Sequence, residues 1–482
     1  MLNALKEELN YGFTENGGIK HNSTLNSLLD LFAFGGAYRN RSDSDVIALF
    51  ASAYRENPIY ATKCLFYLRD REQGQGERRF FRICMRWLAN TDVEAASRNF
   101  VFIPTFGRWD DLFVLIDTPL EANMFEFIKQ QLLLDTKSKT PSLLAKWLKS
   151  ENTSSMESRK IAKKTRNYLG MTSAQYRKTL SILRKRINVL ERLMSLGEWD
   201  KIEFDKIPSK AGLVYSNAFA RNDIIKAKYE SFINNKQTKV NAKTLYPYEV
   251  VQKALKVSNT DEKTKREVAN KYWDNLTDYF NGKTFNGLAV CDTSASMRGT
   301  PLDVAIALSI YCAERAGGPF ANHYISFSHD PQLIEVRGID FVDKCKHIYE
   351  TNLCQNTNLE RVFNLLLETA ITHNLSQDTM PENIIVISDM EIDHMTSPTL
   401  DSSKTMTMME NMREKWLKAG YKMPKLVYWN VDARNNTILD KGENVSFVSG
   451  MSPSIFEQIL TGKTGLELCL ETLNKDRYSC IF

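Results

Sequence analysis

The sequence predicts two folds in one chain: an α-helical repeat module over residues 1–282 and a doubly wound α/β domain over 283–482. Three observations predict it. Apolar residues recur at helical spacing through the first part. After Gly282, short apolar strands alternate with helices. The charge changes sign at the same break: Phe285 to Phe482 carries 17 basic and 25 acidic residues, a net of −8. The preceding residues carry 46 and 33, a net of +13, so the +5 of the whole 482-residue chain conceals a basic half joined to an acidic one. With 43% hydrophobic and 25% charged residues, the chain is neither disordered nor collagen-like. No apolar run approaches the roughly 18 residues that span a bilayer, and Met1 to Leu9 reads as a charged amphipathic helix start, so no membrane partner is expected. The eight cysteines include no C-x-x-C pair. Neither a zinc site nor a disulfide framework follows, and free thiols in a cytoplasmic setting are the simple reading.

The helical elements follow in order. Ser44 or Asp45 caps a helix running to Tyr54, and Pro58 opens the next, Ile59 to Arg69. Gly74 and Gly76 mark a turn. Arg78 to Leu88 is a helix whose buried stripe is Phe81, Cys84, Met85 and Leu88. Ile103 to Phe113 is a loop entering another helix. Lys160–Tyr168 and Ser173–Leu196 are basic helices, and 234–246 is a polar loop. Helices of this length separated by short turns predict stacked pairs.

In the second half, Gly287–Cys291, Asn322–Ser328, Gln332–Val336, Asn383–Ser388, Lys425–Val431 and Val445–Ser449 read as strands. Helices are expected at Pro301–Ala316, Leu359–His373, Met406–Ala419, Ser454–Leu460 and Leu466–Leu473. Ligands of such a sheet lie beyond the carboxyl ends of its strands.

One constellation sits at such an end. Gly287–Cys291 runs into Asp292-Thr-Ser-Ala-Ser296, which is Asp-x-Ser-x-Ser. The Asp292 carboxylate and the Ser294 and Ser296 hydroxyls, at alternate positions, can converge on one hard cation, and Mg²⁺ suits such oxygen ligands. Thr357, in a loop before a helix, and Asp389, at the end of an apolar strand, are the candidates to complete the oxygen shell, directly or through water. The pattern resembles the metal-ion-dependent adhesion site of von Willebrand factor A domains. That resemblance implies a bound Mg²⁺ (or another divalent cation) with an open position that an acidic side chain of a protein partner fills. It also admits a purely structural use of the motif. A haloacid-dehalogenase-like phosphatase would want Asp-x-Asp, and position 294 is Ser.

The helical half adds Tyr67-Leu-Arg-Asp-Arg-Glu-Gln-Gly-Gln-Gly-Glu-Arg-Arg-Phe-Phe-Arg82 and Phe106-Gly-Arg-Trp-Asp-Asp-Leu112. These look like marker segments of the TROVE module, the HEAT-like helical ring of Ro ribonucleoproteins. Those proteins also end in an A-like domain beginning Asp-x-Ser-Ala-Ser-Met, here Asp292 to Met297. The match is closer still to a group of TROVE-like proteins of undefined function with the same two-part layout. The pattern extends over Leu144–Leu148 and Tyr176–Arg184 and so covers most of the chain. The resemblance implies RNA binding: unpaired 3′ ends and structured small RNAs.

Lys137 to Arg192 holds 15 basic and 3 acidic residues, a density expected of a polyanion-binding face. The candidates are Arg69, Arg78, Arg79, Arg82 and Arg108, then Lys146, Lys149, Lys160, Lys163, Lys164, Arg166, Arg177, Lys178, Arg184 and Lys185. Arg177 and Arg184, two turns apart, share a face. Trp147 and Tyr176 are candidates for stacking on bases, with a core role as the alternative. Arg69 with Asp70, and Arg108 with Asp110 or Asp111, have structural ion pairing as theirs. The six histidines show no metal spacing, and Ser328-His329-Asp330 lacks the context of a hydrolytic triad. The leading expectation is a non-enzymatic RNA-binding protein with a Mg²⁺ site. The alternatives are a Mg²⁺-dependent protein-interaction scaffold and, third, a metal-dependent nuclease using Asp389, Glu391 and Asp393.

Overall fold

Caps and backbone breaks divide the first half into short helices. The computed structural model describes all residues except 16, 259–262, 328–330, 352–357, 392–406, 441 and 443. Helix Asp43–Glu56 begins at Ser42, whose hydroxyl accepts from the Asp45 N–H at 3.1 Å, so the cap lies slightly earlier than Ser44 or Asp45. Pro58 opens Pro58–Arg69, with Asn57 as its cap. Helix Arg78–Thr91 buries Phe81, Cys84, Met85 and Leu88 completely. The basic segment expected as one helix over 173–196 is two, Ser173–Arg186 and Leu190–Ser195. Asn188 between them has φ 49°, a left-handed backbone that ends an α-helix and that Asn tolerates.

The first half is not wholly helical. β1 (Tyr11–Phe13) and β2 (Ile19–His21) form a small antiparallel hairpin. The second half carries β3 (Gly287–Asp292), β4 (His323–Phe327), β5 (Leu333–Glu335), β6 (Asn383–Ser388), β7 (Lys425–Asn430) and β8 (Val445–Ser449). Their order is β5-β4-β3-β6-β7-β8, parallel throughout except for the antiparallel edge strand β5. β3 is buried at every position, as a parallel strand covered on both faces must be. From β3 the chain crosses to β4 on one side and later returns to β6 on the other. This reversal opens a crevice at the carboxyl ends of β3 and β6. The architecture is therefore a helical module of stacked pairs joined to a doubly wound α/β domain.

The two halves are packed into each other. The Gly36 N–H donates to Ser449 Oγ at 3.0 Å, on β8. Asp70, fully buried, accepts from Arg477 Nη2 at 2.7 Å and from the Tyr478 hydroxyl at 3.1 Å. At the far end of the module, Arg266 is bidentate to Asp340 at 2.6 and 2.7 Å. Trp273 stacks on Phe341 with ring centroids 3.9 Å apart. The helical path also meets itself, because the Tyr246 hydroxyl donates to the Gln75 carbonyl at 3.1 Å. Gly76 permits this closure: it has φ +66°, and a Cβ there would lie 1.8 Å from the Tyr246 hydroxyl oxygen.

Gly76→Ala should therefore lower stability by about 1–3 kcal/mol, read as the shift of a urea midpoint. The loss should be smaller when Tyr246 is already Phe, because the obstructing oxygen is gone. An equal loss in both backgrounds would show that the hydroxyl is not the obstruction.

Candidate functional site

The crevice is built by register. β3 and β6 run parallel with Cys291 opposite Ile387, which sets Asp292 level with Ser388. The Ser388 hydroxyl donates to Asp292 Oδ2 at 2.5 Å, and the Ser294 N–H donates to Asp292 Oδ1 at 2.9 Å. The hydroxyls of Ser294 and Ser296 lie 2.9 Å apart. Asp389 comes just past the end of β6 and accepts from the Glu391 N–H at 3.2 Å. Met390 between them has φ +63°, a conformation rare for a long side chain. The structure thus brings Asp292, Ser294, Ser296 and Asp389 to one crevice, while Thr357 lies outside the described residues, as do Asp393 and Ser328-His329-Asp330.

Both carboxylates are out of water, Asp292 at 0% and Asp389 at 1% exposure. Burial, and then the negative charge of Asp389, push the Asp292 carboxyl up to about 7, against the Ser388 and Ser294 donors that favour its anion. Asp389 has a counter-ion that sequence reasoning missed. Arg434 Nη2 lies 2.8 Å from Asp389 Oδ2, and Arg434 Nη1 lies 2.6 Å from Glu15. The Glu15 N–H donates to Glu391 Oε2 at 2.8 Å, and Asn435 Nδ2 donates to Glu391 Oε1 at 3.1 Å. The β1–β2 hairpin region therefore closes over the same loop. Arg434 stands 45 residues from Asp389 in an unpatterned polar stretch, so no sequence signal marked it. Among the described residues no three His, Cys, Asp or Glu side chains surround a common metal position. The donor set is two carboxylates with two hydroxyls. Hard oxygens and an uncompensated buried charge fit a divalent cation such as Mg²⁺.

The basic candidates divide sharply. Arg69, only 3% exposed, gives Nε and Nη2 to Asp111 Oδ2 at 3.0 and 2.6 Å, so it is a structural residue and not an RNA contact. Arg78 spans Asp111 and Asp110 at 2.6 and 2.7 Å. Arg108 and Lys149 also reach Asp110, at 3.1 and 3.4 Å. Arg184 turns inward and donates to the carbonyls of Ala145 and Leu148, both at 2.8 Å, and to Ser150 Oγ at 3.0 Å. It lines the same cleft as Arg177, with its guanidinium donors taken by those backbone and hydroxyl acceptors. Tyr176 is fully buried, its hydroxyl donating to the Lys149 carbonyl at 2.8 Å, so it is core and not a stacking platform. Trp147 is half-buried beneath Arg108, whose guanidinium carbon lies 4.2 Å from the ring centroid.

The remaining candidates lie at the surface. Arg79 pairs with Asp43, Lys146 with Glu191, Lys164 with Asp117 and Glu121, and Arg166 with Glu151. Among the described residues Arg82, Lys160, Lys163, Arg177, Lys178 and Lys185 have no acidic partner. All but Arg82, which is half-buried, are exposed.

A family model described as a domain of unknown function, DUF2828, matches residues 14–142 and 131–283. The chain belongs to the DUF2828 family. A second model, DUF7788, also a domain of unknown function, matches residues 286–477. Outside these models, this DUF2828 member is 30% identical over 500 residues to "Uncharacterized protein L728" of Acanthamoeba polyphaga mimivirus, covering 94% of this chain and 85% of that protein. The crystal structure of the Deinococcus radiodurans RO (RSR) protein superposes with a TM-score of 0.49 at 13% identity, over 92% of this chain and all of that one. No described helix of this DUF2828 member is long and apolar enough to cross a membrane.

The carboxylate pair makes a prediction that needs no ligand. Asp292 holds its proton more tightly folded than unfolded, so its contribution to stability falls as pH rises from about 4 to about 7. In EDTA, Asp292→Asn should melt above the parent chain at pH 8, with the gap narrowing toward pH 5. A gap that does not change with pH would show that the two carboxylates do not share this crevice as charges.

Proposed function

We propose that this protein binds RNA on its helical module and holds a divalent cation, Mg²⁺ by donor chemistry, at the crevice of its α/β domain. One observation carries the RNA reading. On helices Met156–Tyr168 and Ser173–Arg186, exposed Lys160, Lys163, Arg177, Lys178 and Lys185 have no acidic partner among the described residues, although neighbouring cations on the same module have found one. A purely structural face gains from opposite-charge pairs at i,i+4, whereas phosphate contacts need cations left free. The TROVE-like sequence segments point the same way. Because Arg69, Arg78, Arg108 and Arg184 serve the fold, the RNA face narrows to the exposed set.

The crevice supports a second activity. Asp292, Ser294, Ser296 and Asp389 would hold the cation, with Thr357 as the sequence candidate for the remaining ligand. The bound ion would supply an electrophilic position suited to an acidic side chain of a protein partner. The chain's own part is to fix the oxygens: Ser388 and the Ser294 N–H orient Asp292, and Arg434 orients Asp389.

A short RNA with an unpaired 3′ tail, titrated at several salt concentrations, tests the first reading. Each neutralised phosphate should add a slope of about −0.7 to log affinity against log salt. Reversing Lys163, Arg177, Lys178 and Lys185 together should reduce that slope by about 3. A slope that survives all four reversals would move RNA off this face, and salt-insensitive or absent binding would end the RNA reading. For the crevice, millimolar Mg²⁺ should raise the melting temperature of the parent chain and leave Asp292→Ala unmoved. No shift in the parent would leave the motif a structural one.

A further inference from the structure

Between helices Arg78–Thr91 and Met156–Tyr168 lies an open cleft of about 820 Å³, within the range of small-molecule sites. Its floor is apolar, made by Ile83, Phe113, Val114, Ile116 and Ile161. Its walls are cationic. Most of those cations are committed: Arg78 to Asp110 and Asp111, Arg79 to Asp43, and Lys164 to Asp117 and Glu121. Arg86 is held by the carbonyls of Val114 and Ile116, at 3.2 and 3.0 Å.

Two are not committed. Arg82 on one wall and Lys160 on the other face the cleft without an acidic partner among the described residues. The Arg82 Nε–H is also buried and has no acceptor. A donor withdrawn from water and left unpaired costs on the order of 1–3 kcal/mol. A lysine on a solvated face would not explain that orphan; an acceptor brought by a ligand does. A side chamber of about 160 Å³ opens beside it, lined by Arg82, Lys149 and Ser158 among others.

From this geometry we propose that the cleft is a nucleotide pocket. The phosphate of a nucleoside phosphate bridges Arg82 and Lys160, and its ring lies against Phe113 and the aliphatic floor. Guanidinium and ammonium groups on facing walls match a phosphate better than a monovalent carboxylate. A flat aromatic ring suits a floor of one aromatic and several branched side chains. Glu157, which lines both chambers, offers an acceptor to a base amino group or a ribose hydroxyl, which an aliphatic ligand would leave unused. The same chemistry is presented by a free mononucleotide and by an unpaired residue of an RNA strand. In the second case the inference deepens the RNA reading above and rests on it.

The test is calorimetric titration of the full chain with adenosine 5′-monophosphate, adenosine and inorganic phosphate separately, then with a short oligoadenylate. The monophosphate should bind at least about tenfold tighter than either fragment. Arg82→Met and Lys160→Met should each weaken it by roughly tenfold or more. Neither change breaks an ion pair, and Arg82→Met removes the orphaned donor, so neither chain should melt below the parent. Ile83→Trp, which fills the floor and leaves the charges, should abolish binding. Competition between the oligoadenylate and the monophosphate assigns the pocket to an RNA strand; monophosphate binding without competition assigns it to a free nucleotide. No monophosphate binding at about 10 mM, phosphate binding as tightly as the monophosphate, or affinity unchanged in Arg82→Met and Ile83→Trp would each overturn the proposal. Salt-dependent RNA binding that persists without monophosphate binding would remove the pocket alone. Monophosphate binding in a chain with no RNA affinity would remove the RNA reading alone.

Discussion

Asp111 is the group on which the helical module is organised. Its carboxylate is fully buried, and it accepts from Arg69 at 2.6 Å, Arg78 at 2.6 Å and the Arg108 N–H at 3.0 Å. Burial alone would raise its pKa, but Arg69 and Arg78 outweigh that and hold it below the ordinary aspartate value. The arrangement joins three separate pieces of chain: the end of helix Pro58–Arg69, the start of Arg78–Thr91, and the turn at 107–111. Removing one partner from a buried pair leaves an uncompensated charge, at a cost of about 3–5 kcal/mol. Gly107 belongs to the same design, because a Cβ there would lie 2.7 Å from Asp111 Oδ2 and 2.9 Å from Arg69 Nε. The next carboxylate, Asp110, gathers Arg78, Arg108 and Lys149 and so ties in the chain beyond helix Glu121–Lys137. The Phe106–Leu112 segment is therefore conspicuous in sequence because it is a packing device. Its one cation, Arg108, is spent on the fold, and the surface left for a polyanion lies elsewhere.

Legibility in the sequence followed the range of each interaction. β3 and β6 were readable because a strand buried on both faces is an unbroken apolar run, Leu288 to Cys291 and Ile384 to Ile387. The hairpin β1–β2 was not, because three-residue strands carry no period. That Asp292, Ser294, Ser296 and Asp389 meet at one crevice was readable because the first three are local and Asp389 ends a recognisable strand. Arg434 was invisible because its partnership with Asp389 exists only after the sheet has formed. For the basic residues the failure was of another kind. Charge density counts cations without saying which are paired, and the acids that claim them are distant: Asp111 lies 42 residues from Arg69, and Glu121 lies 43 from Lys164. Arg177 and Arg184 do line one cleft, as their shared helical face predicts, but spacing does not show that Arg184 turns back onto the carbonyls of Ala145 and Leu148.

The opposite charges of the two halves do not act mainly by attracting each other across a broad surface. Their contacts are numerous and specific, hydrogen bonds and ring packing as well as charge pairs, the last on carboxylates that are buried or half-buried. Asp70 of the helical half takes Arg477 of the acidic half, and Asp340 of the acidic half takes Arg266 of the basic one. At the crevice the hairpin region contributes acid rather than base: Glu15 pairs with Arg434, which also faces Asp389. Arg434 is thus shared by one carboxylate from each half. That sharing matters because Asp292, the other carboxylate of the crevice, has hydrogen-bond donors but no basic side chain of its own among the contacts described. Its charge is disfavoured up to about pH 7, so the α/β domain holds an unsettled negative charge at the point where its strand order reverses. A proton settles it in acid, and above neutrality only a cation can. The same logic, with the sign inverted, governs the cleft between helices Arg78–Thr91 and Met156–Tyr168, where the cations are in excess and the missing group is an anion.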